Sequence, residues 1–78
     1  MPLPTREDLA RRFLDGTEKH YDAQVAQLEA DVDNLLANSV GIDDHQRIDN
    51  ALRELVEKLA AERDNLDTIR QYRASRSL

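Results

Sequence analysis

The chain has 78 residues, no cysteine, 35% charged residues and a net charge of −5. That is enough for one small domain, and it excludes a disulfide framework and thiolate metal or redox chemistry. The acidic balance argues against nonspecific nucleic-acid binding, and no apolar run is long enough to cross a bilayer, so the expected location is cytoplasmic.

The first residues, Met1-Pro2-Leu3-Pro4, carry no apolar signal core, and the prolines keep them extended. Thr5 with Asp8 forms a T-x-x-D start close to a capping box, and Glu7 and Asp8 suit the positive end of a helix dipole. A helix is therefore expected from residue 6. Gly16 either ends a short first helix or is crossed at a cost of about 1 kcal/mol. The apolar phase favours crossing, because Ala10, Leu14, Thr17, Tyr21, Val25, Leu28, Val32 and Leu35 share one face only if the helix is continuous. Helix 1 is expected over about 6–37.

Asn38, Ser39 and Gly41 break the pattern, giving a loop over 38–43. Asp43 is the expected N-cap of helix 2, with Gln46 closing a capping box and Ile42 packing just before the cap. Helix 2 is expected over about 44–72. It carries Ile48, Leu52, Leu55, Leu59, Leu66 and Ile69, spaced 4, 3, 4, 7 and 3, which is a heptad seam like that of a coiled coil. Residues 73–78 are expected to fray.

Two matched stripes joined by a short loop define an all-α, antiparallel two-helix hairpin. The stripes face each other with Leu35 on Ile48, Leu28 on Leu55 and Leu14 on Ile69. Every such layer is apolar except the one that sets Tyr21 opposite Glu62. That polar layer is expected to fix register, as a buried asparagine does in coiled coils, with the tyrosine hydroxyl satisfying the carboxylate.

Leu9, Phe13, Leu36, Val40, Ile42 and Val56 lie off the seam. A two-helix hairpin leaves most of them in water, so a second copy or a different protein is expected to cover them and complete a four-helix bundle. They are the candidate partner or dimer surface.

Charge is uneven. Residues 20–58 hold nine acids and three bases, whereas residues 63–78 hold four bases (Arg63, Arg70, Arg73, Arg76) and two acids. In a hairpin the loop end is acidic and the end holding the termini is basic or mixed. This either keeps the chain soluble or steers a partner. The four arginines with Tyr72 lack the density and interleaved aromatics of a nucleic-acid surface.

Nothing specifies a reaction. His45 and Asp49 are one turn apart, but metal sites need three or four such groups. Asp31-Val32-Asp33 opens like a calcium loop, yet Leu36 stands where glycine is required. The run Ile48-Asp49-x-x-Leu52-x-x-Leu55-Val56 resembles the first helix of the small all-helical chorismate mutases. That resemblance implies a mutase-like enzyme as a minor alternative. It covers about 16 residues. Leu59 occupies the position of the family's substrate-binding arginine, Arg63 comes one turn later, and the family's other helices have no counterpart here. The expected role is a non-catalytic protein-binding module of adaptor, chaperone or inhibitor type, with no cofactor, metal or small-molecule substrate. A self-associating structural subunit of a larger assembly, such as a secretion or phage particle, is the alternative.

Overall fold

A computed structural model describes residues 2–39 and 44–78. Two helices, α1 (Arg6–Ala37) and α2 (His45–Arg76), run antiparallel and pack along their length in a ribbon of 63 × 25 × 12 Å. Among the described residues there is no strand.

Local chemistry sets the ends of α1. The Thr5 hydroxyl accepts from the Asp8 N–H, and the Asp8 carboxylate accepts from the Thr5 N–H, so the capping box is closed in both directions. Those bonds to Thr5, the backbone one foremost, hold the Asp8 carboxyl below its ordinary range. The helix passes straight through Gly16, where an added Cβ would meet open space. Glycine here serves neither a cap nor a close approach. The stripe on either side of it holds the helix together. At the far end the Asn38 N–H bonds the Asn34 carbonyl, and the Ser39 hydroxyl donates to the Leu36 carbonyl.

The ends of α2 differ from the expected ones. Its N-cap is Asp44, whose carboxylate accepts from the Arg47 N–H at 3.0 Å. Gln46 does not close a box but donates to Asn50 on its own helix. The expected cap, Asp43, lies outside the described residues, as do Val40, Gly41 and Ile42.

Helix α2 runs past the expected end near residue 72. The helix continues to Arg76 and ends with Ser77 in the left-handed conformation at φ 56°. The Leu78 N–H returns to the Arg73 carbonyl and the Ser77 N–H to the Ala74 carbonyl, which is a Schellman closure with serine in the glycine position. Heptad spacing explains the extra turn. Leu66, Ile69 and Arg73 continue the 3-and-4 alternation, and on α1 Leu14, Glu18 and Tyr21 do the same. The seam was expected to stop where its apolar residues stop, yet it carries on through an ion pair.

The core is thin. Val25 is 8% exposed and Leu66 6%, while the other stripe residues are half-buried. Interhelix ion pairs define the register. Arg73 bonds Asp15 at 2.8 Å and Glu18 at 3.1 Å, Arg70 approaches Glu18 at 3.5 Å, and Arg63 approaches Glu29 at 3.9 Å. Side chains lean toward the N-terminus of their own helix, so partners across an antiparallel pair meet beyond the level of their Cα atoms. These contacts fit a facing in which Glu18 lies opposite Ile69, Tyr21 opposite Leu66, Val25 opposite Glu62 and Leu35 opposite Leu52. That facing is offset by about one turn from the expected one, although Leu35 and Ile48, an expected pair, line one groove at the loop end. In that facing Val25 and Leu66, the two most covered residues, occupy adjacent layers.

Candidate functional site

The displaced register dissolves the expected Tyr21–Glu62 pair. Tyr21 lines a surface hollow together with Thr17, Asn65, Thr68 and Ile69, and the Glu62 carboxylate accepts from the Asn65 amide one turn along its own helix. Both are half-buried, and the recorded partner of the Glu62 carboxylate is on its own helix.

A polar lock that the sequence reading missed sits nearer the termini. The Arg73 guanidinium, 18% exposed, gathers the carboxylates of Asp15 and Glu18 and also donates to the Leu78 carbonyl. The hydrogen bond to Asp15 leads in raising the Arg73 pKa above the ordinary arginine value. One side chain thus joins the last turn of α2 to the third turn of α1. Continuing the heptad beyond Ile69 would have revealed it. The other arginines are also engaged. Arg70 and Arg63 reach acids of α1, and Arg76 lies over the Tyr72 ring at 5.3 Å. Arg63, Arg70 and Arg73 of the basic end are therefore paired with acids of α1 within the hairpin.

The proposed partner residues do not form one surface. Leu9, Phe13, Leu36 and Val56 are exposed, Phe13 at 74% and Val56 at 50%. Leu36 lies seven residues beyond Glu29, and Val56 seven before Arg63, so together they repeat the position of that ion pair two turns nearer the loop. Phe13 lies about 35 Å away along α1 at 1.5 Å per residue. It belongs to the opposite broad face, with Tyr72, Thr17, Asn65 and Thr68. Val40 and Ile42 lie outside the described residues.

The remaining candidates stay apart. His20 stacks edge-on against Tyr21 at 5.3 Å, while His45 lies at the other end of the ribbon. Asp31 accepts from Gln27 on its own helix. Among the described residues no group of three or more histidines and acids could hold a metal ion, and no helix is long and apolar enough to cross a membrane. The segment resembling the mutases, Ile48 to Val56, turns Ile48, Leu52 and Leu55 into the hairpin seam, and of the residues that carry the resemblance Asp49 and Val56 are exposed.

Two broad faces therefore remain, one laced with ion pairs and one carrying exposed aromatics. No family model matches the chain, and neither a curated protein nor a solved structure matches it.

Proposed function

We propose that this hairpin is a small non-catalytic protein-interaction module whose amphipathic helices offer apolar surface to another protein. The observation that carries the reading is surface in excess. A compact monomer of 8.9 kDa exposes about 4,800 Å², whereas this chain exposes 6275 Å². Leu3, Leu9, Phe13, Leu36, Val56 and Tyr72 are exposed large apolar side chains on that surface, and a large exposed apolar area ordinarily marks an interaction site. Adaptors and small chaperones work with such helical surfaces, which is analogy at the level of fold.

Affinity capture from the source cells tests the reading with three baits: the native chain, Phe13→Asp and Val56→Asp. A protein held by the native chain and lost by one of the variants is the expected result. Equal capture by all three baits contradicts the role of these residues. A self-associating structural subunit is the second reading, favoured by the same excess surface. It differs in that the captured protein is the chain itself.

A further inference from the structure

Heptad phase assigns each outward residue to one of the two broad faces. The first face holds the interhelix ion pairs. On α1 it carries Asp15, Lys19, Asp22, Glu29 and Asp33, and Leu36 ends the row. The second face is different. Between Ala10 and Asn34 of α1 its residues include Phe13, Thr17, His20, Gln24 and Gln27, and Asp31 is its one charge at neutral pH. On α2 it is uncharged from Ala61 to Ser75, and nearer the loop it carries Arg47 and the Glu54–Lys58 pair. Depletion of charge together with exposed aromatic residues marks the centre of protein interfaces.

Two complementary features lie on this second face, at opposite ends. Near the termini Phe13 and Tyr72 project into solvent. Near the loop Leu35, Ile48 and Ala51, with the Arg47 stem, line an apolar groove of about 380 Å³. Ala51 lies fourteen residues before Asn65 and so shares its column. Phe13 and Leu35 are separated by 22 positions, about 33 Å along the helix. A twofold axis through the level of Gln24 would therefore place the Phe13 of each copy at the Leu35–Ile48–Ala51 groove of the other.

From this juxtaposition we propose that the occupant of the second face is another copy of this chain, docked antiparallel as an isologous four-helix bundle with Phe13 seated in the partner's loop-end groove. The inference rests on the interaction-module reading and names its partner. Area agrees. The surface in excess of a compact monomer, about 1,500 Å², exceeds the roughly 800 Å² per partner that a standard interface buries, as an obligate homodimer does. Charge agrees as well. Residues 20–58 hold six more acids than bases, and an antiparallel copy sets that half beside the partner's termini half rather than against a second acidic half.

The absence of native cysteine makes the geometry measurable by site-directed spin labelling. Sedimentation of the native chain, Phe13→Asp and Val56→Asp at tens of micromolar gives the mass. Helicity by circular dichroism shows that each variant is folded. A nitroxide on Asn34→Cys gives the orientation. The expected results are a dimer for the native chain and for Val56→Asp, and at least a tenfold weaker dimer for Phe13→Asp. The two labels should lie about 30 Å apart or more, since each Asn34 sits ten positions from the axis. Labels closer than about 20 Å, or a dimer broken by Val56→Asp and kept by Phe13→Asp, overturn the proposed docking and leave the interaction reading standing. A native monomer that is poorly helical alone overturns the second copy but still calls for a different partner. A native monomer that melts cooperatively overturns both.

Discussion

At the residue scale, stability resides in a few terminal bonds whose removal has a defined sign. Thr5→Ala removes the hydroxyl arm of the capping box, leaving the arm from the residue-5 backbone N–H, and should cost about 1 kcal/mol in a denaturant melt. Gly16→Ala adds a methyl into open space within a helix and should stabilise by about 0.5–1 kcal/mol. Ser77→Gly should also stabilise, because serine holds a left-handed conformation that glycine adopts without strain. Asp8 has a folded-state pKa below its unfolded value. Its contribution is therefore complete above the ordinary carboxylate range and is lost as pH falls through the lowered value. The Arg73 shift lies in the opposite direction, so its contribution persists at every pH below the arginine range and adds no titration near neutrality. Of these two groups Asp8 makes stability fall on the acid side, and Thr5→Ala, which removes the side-chain bond, should lessen that acid loss in part.

At the element scale the seam decides what is tolerated. Leu66→Asp puts a charge at the most covered position and should unfold the hairpin, whereas Arg53→Asp on an exposed position should not. Similar losses at both would mean that the stripe is misplaced. Glu62→Leu should leave the chain folded and as stable or more so, since the carboxylate's recorded bond is to Asn65 on its own helix and its level opposes Val25. Tyr21→Phe should be close to neutral, because Tyr21 lines a surface hollow with Asn65 and Ile69 rather than giving a proton to Glu62. Both helices, their joining through Gly16 and the first cap were legible in the sequence because spacing and capping are local properties. Register was not legible. Matching apolar residues alone favoured Leu14 on Ile69, but an antiparallel pair also alternates its two seam positions, and Glu18 and Arg73 occupy seam positions as charged residues. Only the cross-helix ion pairs reveal that the seam runs on to Arg73.

At the scale of the whole molecule the ribbon is long and thin. Its radius of gyration is 18.1 Å, against about 11.5 Å for a compact chain of this length. Composition already indicated uncovered apolar residues, but not their division. Leu36 and Val56 share one face with the ion pairs, while Phe13 shares the other with Tyr72, and only the register places them so. On the proposed association, a hairpin whose buried residues are Val25 and Leu66 draws part of its stability from its partner. The most direct test is the melting temperature of the native chain over a hundredfold range of concentration. Association predicts that it rises steadily with concentration, because binding stabilises only the folded chain. One cooperative transition at the same temperature throughout that range would contradict it.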